Sequence, residues 1–248
     1  MRLVTRTSKH TEIGSKKDRK RPLTPRSRRR AEGVALAAAA YYRNSGRAFP
    51  WRDTRNPFYL AVAEILLQKT RAESVTGTYT AFVSKYPTAA ALSKANYFEI
   101  ELQLRPLGLS RKRTDYLIGM ARAACKFGEC IFDDWKRLLA GSPGLGAYAA
   151  RAIACFARGK IIGIVDANVA RIERRVFRIT ATDPRAVIFQ RYADEIALAA
   201  TDGRATNFGL LDLGALVCLP DPRCGICPLD NICAKFGVGK HRAKSRRA

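Results

Sequence analysis

The sequence predicts an all-α protein. Apolar residues recur at the three- and four-residue spacing of helices along most of the chain, and strand-like alternation never lasts. Turn signals rich in Gly, Pro, Ser and Thr separate the helical segments. Because 47% of the 248 residues are hydrophobic, the chain can build a sizeable core and is not expected to be disordered as a whole.

The first half of the chain is predicted to form helices whose ends carry local signals. Pro57 suits the first turn of a helix, and Gly46 and Gly128 are stop signals. Thr88 and Ser110 are predicted N-caps. In chain order, the predicted helices cover residues 31–42, 57–68, 74–86, 89–94 and 110–126.

The second half begins with a tight turn at residues 142–146, which opens into the next helix. A short apolar run at 161–165 then ends at Asp166. The predicted helices of this half cover residues 147–156, 169–177, 184–200 and 207–217.

The charge of the chain points to a polyanionic partner. Lys and Arg number 45 against 21 Asp and Glu, which gives a net charge of +24. Phosphate neutralisation rewards such a balance, so we expect a nucleic-acid binder. Residues 1–31 hold 12 basic and two acidic residues, and residues 234–248 hold six basic and no acidic residue. These ends are predicted to be solvated basic arms, with a nuclear or organellar address as the alternative.

The chain is expected to act inside the cell. No run approaches 18 consecutive apolar residues, which excludes a membrane-spanning helix, and no apolar stretch follows the basic N-terminus as in a secretory signal. We therefore expect a place in the cytoplasm or nucleoid, or in the nucleus of a eukaryote. We also expect a monomer, because no heptad pattern or large apolar stripe is evident.

Two segments carry the chemistry. In Pro143-Gly144-Leu145-Gly146-Ala147-Tyr148, the glycines permit positive φ and a close approach of the backbone, and the free N–H groups of the next helix suit a phosphate. An ordinary helix–helix turn is the alternative. Twenty residues on, Asp166 stands at a helix mouth, where it is either a catalytic acid or only a cap.

Taken together, these segments resemble the helix-hairpin-helix, glycine-proline-aspartate (HhH-GPD) superfamily of DNA glycosylases. Segments 49–52 (FPWR), 64–70 (EILLQKT) and 165–171 (VDANVAR) resemble its adenine-mismatch and thymine-mismatch branches. The resemblance covers about residues 48–234. It implies a six-helix barrel domain over 52–157, a second helical domain from 31–51 and 158–234, and an active-site cleft between them. Outside these domains we expect a basic disordered arm at 1–30 and a basic tail at 235–248.

Four cysteines, Cys218, Cys224, Cys227 and Cys233, crowd into sixteen positions with the spacing C-x5-C-x2-C-x5-C. In an intracellular protein such a cluster indicates a metal rather than disulfides. Thiolates suit zinc and iron–sulfur clusters alike, but zinc usually takes two C-x2-C pairs. The segment resembles the iron–sulfur loop of the endonuclease III group, which usually has six residues in the first gap. The resemblance implies a [4Fe–4S] cluster that positions DNA, with zinc as the alternative and Arg223 nearby for phosphate.

The resemblance also assigns roles to the site residues. Relatives that cleave the strand carry a lysine nucleophile where this chain has Tyr148, and a tyrosine cannot form a Schiff base. It therefore implies a monofunctional N-glycosylase, a hydrolase in which Asp166 stabilises the oxocarbenium-like sugar and orients water. Tyr148 would line the base pocket.

Glu64 is the second carboxylate of the predicted site. If buried among apolar neighbours on its helix, its pKa rises, which favours a proton donor or a neutral hydrogen-bond partner. A partly exposed glutamate paired with Arg71 is the alternative. Gln68 and Lys69 stand where the family inserts side chains into the duplex, and Lys69 replaces a frequent glutamine.

The substrate implied by the resemblance is double-stranded DNA with a mismatched thymine or uracil opposite guanine. The loop of residues 108–112 resembles the thymine enzymes, and the adenine enzymes carry a further C-terminal domain that we do not expect here. Base excision repair by this route would act on a flipped base. The alternatives are adenine opposite 8-oxoguanine or guanine, another damaged base, a catalytically silent DNA-binding relative, and a plain zinc module.

Overall fold

The structure, a computed structural model, describes residues 23–239, apart from the side chains of residues 129 and 130. Every regular element in that range is helical, so the all-α prediction is confirmed. None of the helices described there is long and apolar enough to cross a membrane. The predictions for residues 1–22 and 240–248 lie outside the described residues.

The described residues form twelve α-helices and three short 3-10 turns. The turns are Arg105–Leu107, Glu129–Phe132 and Cys224–Ile226. The helices are α1 (Pro25–Ser45), α2 (Pro50–Asp53), α3 (Pro57–Leu66), α4 (Ala72–Lys85), α5 (Ala89–Ser93), α6 (Tyr97–Leu104), α7 (Ser110–Phe127), α8 (Trp135–Gly141), α9 (Ala147–Arg158), α10 (Ala167–Phe177), α11 (Val187–Leu198) and α12 (Gly203–Leu216).

The first helix begins earlier than predicted. Thr24 caps it, since its Oγ1 accepts a hydrogen bond from the backbone N–H of Ser27 at 3.2 Å, and Pro25 takes the first turn. Arg30 then donates to the carbonyl of Val176 on α10 at 3.0 Å. Residues 25–30 are therefore helical and docked, and assigning them to a disordered arm was wrong.

Other helix ends also differ from the prediction. The residue before α7 is Leu109 in the left-handed region (φ 50), and no side chain caps this helix, so the N-cap assigned to Ser110 was wrong. α12 starts four residues before the predicted 207, because the side chain of Asp202 accepts from the N–H of Ala205 at 2.9 Å. Helices α2, α6 and α8 were not predicted from the sequence; the last two carry the N-caps Asn96 and Asp134.

Two large apolar cores organise the chain. One is built from α2 to α9, and the other joins α1, α10, α11 and α12. The two cores share α12, because its Phe208 belongs to the first core and its Leu210 and Leu213 belong to the second. Phe208 stacks on Phe156 of α9 with ring centroids 3.9 Å apart. Cys218, Cys227 and Cys233 pack against the second core. Elements of both cores therefore face one another across a common boundary.

A buried ion pair fixes this boundary. Asp212 of α12 is fully buried and accepts from both terminal nitrogens of Arg52 on α2, at 2.7 and 2.8 Å. Arg47 adds a bond from Nε to Oδ1 at 2.7 Å. Although burial alone raises the pKa of Asp212, the bonds from Arg52 and Arg47 hold that pKa below its usual range. The carboxylate is therefore ionised and ties α12 to the chain around α2.

Candidate active site

A cleft opens between α3, α9, α10 and α12. One part has a volume of about 370 Å³, and an adjoining part of about 380 Å³ leads toward the turn before α9. Four residues line both parts, so the two form one cleft: Glu64, Leu67, Tyr148 and Asp166. The structure thus brings together all three residues that the sequence analysis proposed as catalytic.

Glu64 enters the cleft from α3, an otherwise apolar helix. Asn56 caps this helix and Pro57 begins it, and eight of its ten residues are buried. Burial, and secondarily the charge of Asp166, raises the pKa of Glu64 from 4.5 to about 8. Arg71 lines the cleft, but among the described residues no ion pair joins it to Glu64. Glu64 is thus a neutral acid near pH 7, and the predicted alternative of a Glu64–Arg71 pair does not form.

Asp166 enters the cleft from the opposite side. It is the N-cap of α10, and its Oδ1 accepts from the N–H of Val169 at 2.7 Å. Its Oδ2 accepts from the amide of Asn168 at 3.2 Å. Burial raises the pKa of Asp166, while these bonds and the charge of Arg171 oppose that rise. Asp166 was predicted to be either a catalytic acid or only a cap. The two roles are compatible, since the same carboxylate caps α10 and lines the cleft.

A chain of hydrogen bonds holds Asp166 from behind. Asn168, which donates to Asp166, accepts from Nη2 of Arg171 at 2.8 Å. Arg171 also donates to the carbonyl of Gly214 and, through Nε, to the carbonyl of Cys218, both at 2.7 Å. The orientation of the carboxylate therefore depends on α12 and on the start of the cysteine loop.

Asn168 and Arg171 lie within the 165–171 motif, but no role was predicted for either residue. The signal was available, because an amide two residues after the acid and an arginine one turn later share a helix face. The Arg52–Asp212 pair was not predicted, because its members lie far apart in sequence and carry no local signal.

Tyr148 is the second residue of α9 and lines both parts of the cleft. Burial raises the pKa of its phenol well above the usual value; the charges of Glu64 and Asp166 act in the same direction, and Arg52 opposes them. Tyr148 is therefore protonated at physiological pH and can donate a hydrogen bond. In the described part of the chain, none of the residues lining the cleft is a lysine.

In the turn between α8 and α9, only one of the two glycines adopts a positive φ. Gly144 has a φ of +84°, and a Cβ there would lie 2.1 Å from the ring of Tyr116, so only glycine fits. Gly146 has a φ of −78°, and a Cβ there would meet nothing within 4 Å. Gly146 therefore does not use the positive φ that glycine permits, and the folded protein itself does not require glycine at that position.

The first turn of α9 is open toward solvent. Pro143, Gly146 and Ala147 are exposed, and Leu145 anchors the turn in the larger core. No side chain caps the N–H groups at this helix start. Free N–H groups together with the positive end of the helix dipole form a site that suits an anion.

Gln68 and Lys69 lie in the turn after α3 rather than on the helix, which ends at Leu66. Nε2 of Gln68 donates to the carbonyl of Gly144 at 2.7 Å, which joins this turn to the one before α9. Lys69 is exposed and adopts the left-handed region (φ 55). Both residues therefore stand at the same edge of the cleft as the open helix start.

The four clustered cysteines are free thiols that lie close together in the folded chain. Burial raises the pKa of Cys227 and of Cys233, and the other thiols of the group raise both further. Arg175 donates to Sγ of Cys218 at 3.1 Å, and the N–H of Lys235 donates to Sγ of Cys233 at 3.3 Å. Arg223 is exposed beside Cys224.

The chemistry of this donor set fits a metal centre bound by thiolates, which suit zinc and iron–sulfur clusters alike. Among the described residues, no group of three or more Cys, His, Asp or Glu side chains is arranged to hold a metal ion. N–H donors to sulfur are a feature of cluster sites.

Comparison with known proteins assigns the family. Residues 62–197 match the family described as "HhH-GPD superfamily base excision DNA repair protein". The match takes in more than half of the chain, which therefore belongs to this superfamily.

Similar proteins include both mismatch branches. The adenine DNA glycosylase of Mycobacterium tuberculosis is 34% identical over 195 residues, which are 77% of this chain and 64% of that protein. The thymine/uracil-DNA glycosylase of Methanothermobacter thermautotrophicus is 31% identical over 79% of this chain and 90% of its own length. The thymine-DNA glycosylase of Aeropyrum pernix is 32% identical over 84% and 96%.

Solved structures agree with the fold. A thermostable thymine-DNA glycosylase superposes with a TM-score of 0.78 at 29% identity and covers 84% of this chain and 97% of its own. A non-covalent endonuclease III–DNA complex gives a TM-score of 0.68 at 20% identity, over 86% and 97%. The latter is similar in fold alone.

Proposed function

We propose that this protein is a DNA glycosylase of base excision repair that hydrolyses the N-glycosidic bond of a thymine or uracil mismatched with guanine, without cleaving the strand. The observation that carries the proposal is the pairing of a neutral Glu64 with a hydrogen-bonded Asp166 across one cleft. Glycoside hydrolysis uses two carboxyl groups held in opposite protonation states.

The reaction follows from these two states. The bond between the sugar C1′ and the base nitrogen breaks, and its electron pair leaves with the base. Glu64, which carries its proton near pH 7, donates a hydrogen bond or that proton to the departing base. Asp166 stabilises the positive sugar and accepts the proton of the water that adds to C1′. Tyr148, a protonated phenol, donates to the base or stacks on it.

The DNA is held by the open edge of the cleft. The N-terminal N–H groups of α9 bind a phosphate. The space around Gly146 is open, which allows the backbone of the DNA strand to approach closely. Gln68 and Lys69 enter the duplex from the adjoining turn and occupy the space that the extruded base leaves. The net charge of +24 supports a phosphate-rich partner.

Preference for a pyrimidine is supported by the relatives named for thymine and uracil, because the aligned regions take in 90% and 96% of their lengths. Adenine opposite 8-oxoguanine or guanine is the second candidate. It is favoured by the protonated Glu64, since a purine leaves more readily when protonated, and by the 34% identity to a named adenine glycosylase, of whose length this chain spans 64%.

The absence of strand cleavage rests on Tyr148. A lyase step needs an amine that attacks C1′ and forms a Schiff base, and a phenol cannot do this. Within the described chain, the residues that line the cleft offer no lysine in its place.

A [4Fe–4S] cluster held by Cys218, Cys224, Cys227 and Cys233 is part of the proposal. When bound, such a cluster would be held by these four thiolates and would crosslink the loop. The chain's own residues connect that loop to the site, since Arg171 bonds both to the carbonyl of Cys218 and to Asn168. Arg175 donates to the carbonyls of Leu219 and Pro220, at 2.6 and 2.8 Å, and so fixes the loop against α10.

The test is a single-turnover base-release assay on end-labelled duplexes that contain G·T, G·U, adenine opposite 8-oxoguanine, or only normal pairs. Strands are analysed with and without hot alkali. We expect alkali-dependent breaks at G·T and G·U and none at normal pairs. Release of adenine alone would favour the second candidate, and breaks without alkali would contradict the absence of a lyase. No release from any duplex would leave a silent DNA-binding relative.

A further inference from the structure

Arg113 of α7 is a buried cation without an opposite charge. Its side chain is almost completely buried, with 1% of the residue exposed. Among the described residues, no carboxylate lies within ion-pair distance of it. Burying a guanidinium without a counter-charge is unfavourable unless its N–H groups find other acceptors. In Arg113 both terminal nitrogens have such acceptors, whereas Nε has none. The contacts of Arg113 therefore indicate what it is there to hold.

Those contacts are with the backbone of two loops that are distant in sequence. Nη2 donates to the carbonyls of Leu66 and Gln68, at 3.2 and 2.7 Å, and to Oγ1 of Thr70 at 2.6 Å. We call residues 67–70, with the end of α3, loop A. Nη1 donates to the carbonyl of Leu107 at 2.7 Å and to that of Gly108. Residues 105–109 form loop B.

Each loop carries an outward side chain on an unusual backbone. In loop A, Lys69 is exposed with a φ of 55°, and in loop B, Leu109 is 49% exposed with a φ of 50°. A left-handed backbone is costly for residues other than glycine, so the surroundings must hold it in place. Loop A is joined to the turn before α9 by the bond from Gln68 to Gly144. One guanidinium thus connects both loops to the edge of the cleft.

We infer that Arg113 is a positioning residue for base extrusion, which fixes the spacing between Lys69 and Leu109 so that loops A and B enter the duplex together. The inference rests on the proposed function. The planar guanidinium donates to both loops at once from two nitrogens, whereas an ammonium group has no such fork and cannot span them in the same geometry. The chemistry at Asp166 is not touched by Arg113.

The test separates extrusion from bond cleavage. A fluorescent 2-aminopurine placed next to a mismatched thymine reports extrusion in stopped flow, and base release is measured on the same duplex. For Arg113→Lys, we expect extrusion and release to slow together by about tenfold or more. The reason is that loops A and B, no longer held at a fixed spacing, open the duplex more slowly. Arg122→Lys, on the exposed side of the same helix, is the matched control and should change neither rate.

Two further measurements exclude a merely structural effect. On a duplex whose thymine already lies in an unpaired bubble, release by Arg113→Lys should return to within about threefold of the wild type, since no extrusion is needed. Thr70→Val keeps the volume of the side chain, removes one of the bonds and should slow extrusion less. Because it retains the arginine, it serves if Arg113→Lys fails to fold.

The outcomes distinguish the inference from the proposed function. Equal loss of release on the paired and bubble duplexes would overturn the inference, as would unchanged extrusion in both variants. In either case a fully active wild type would leave the proposed function standing. A wild type that neither extrudes nor releases thymine from any duplex would contradict both.

Discussion

The two sides of the cleft present the same functional group in opposite settings. On the α3 side, Glu64 stands in an apolar helix, and no hydrogen bond of the described residues reaches it. On the α10 side, Asp166 caps a helix and accepts bonds from Val169 and Asn168. Burial acts on both, but only Asp166 has N–H donors and a helix N-terminus that favour its charged form.

The difference teaches that the side of the cleft, and not the carboxyl group, sets the protonation state. On the α3 side, burial without hydrogen-bond partners raises the pKa of Glu64 to about 8. On the α10 side, hydrogen bonds and the charge of Arg171 oppose the rise that burial causes in the pKa of Asp166. An acid and an anion can then face one substrate in a single cleft. Each prediction below changes a residue on one side of the cleft.

The largest effect is expected from Asp166→Asn on the α10 side. Asparagine caps a helix as well as aspartate does, so the melting temperature should change little. Without the carboxylate, the single-turnover rate of base release should fall by about a thousandfold, within the range that acid–base groups contribute. A variant that releases base at a rate within tenfold of the wild type would show that Asp166 is only a cap.

A smaller effect is expected from Asn168→Ala, which leaves Asp166 in place but removes its amide donor and the acceptor for Arg171. Loss of one hydrogen bond to a charged group should slow base release about ten- to a hundredfold. Asn96→Ala is the matched control, because it removes an N-cap of α6 at a distance from the cleft. It should lower stability by about 1 kcal/mol and leave the rate unchanged. Equal rates in the two variants would contradict the positioning role of Asn168.

The smallest effect is expected from Glu64→Gln. It is a change in how the free energy of unfolding depends on pH. The folded pKa of about 8 lies above the ordinary 4.5, so the stabilisation from the bound proton is complete below about pH 4.5 and is lost as the pH rises through about 8. Glutamine has no such loss. At pH 9 the variant should be the more stable by on the order of 2 kcal/mol, allowing for solvent in the open cleft.

Denaturant unfolding of both proteins at pH 5 and pH 9 checks this prediction. The difference in the free energy of unfolding should shrink toward pH 5, where Glu64 is protonated in the folded protein. A difference that does not depend on pH would mean that Glu64 is ionised like a surface glutamate, and the contrast between the two sides would disappear.

The sequence predicted the α3 and α10 sides to different depths. On the α3 side the signals are local: Pro57 starts an apolar helix, and Glu64 is its lone acid. The helix and the raised pKa of Glu64 could therefore both be predicted. The motif around Asp166 also predicted an acid at a helix mouth. What holds that acid could not be predicted, because Arg171 finds its partners in Gly214 and Cys218 only after the chain has folded.

Helix ends show the same division. Good N-caps stand at Thr24, Asn96 and Asp202. Nevertheless, α6 was not predicted, and α1 and α12 were predicted to begin later than they do. A cap acts only where the following residues also pack. Leu109 is a helix start without a capping side chain. It has a left-handed backbone, in a loop whose carbonyls accept hydrogen bonds from the buried Arg113. No local pattern announces such a contact.

The most direct test is a carbon-13 NMR titration of the carboxyl groups in selectively labelled protein, assigned with Glu64→Gln and Asp166→Asn. We predict that the resonance lost in Glu64→Gln titrates with a pKa of about 8, and that the resonance lost in Asp166→Asn titrates at a lower pH. A Glu64 resonance that titrates near its ordinary 4.5, or an Asp166 that still holds its proton when Glu64 has lost its own, would contradict the account.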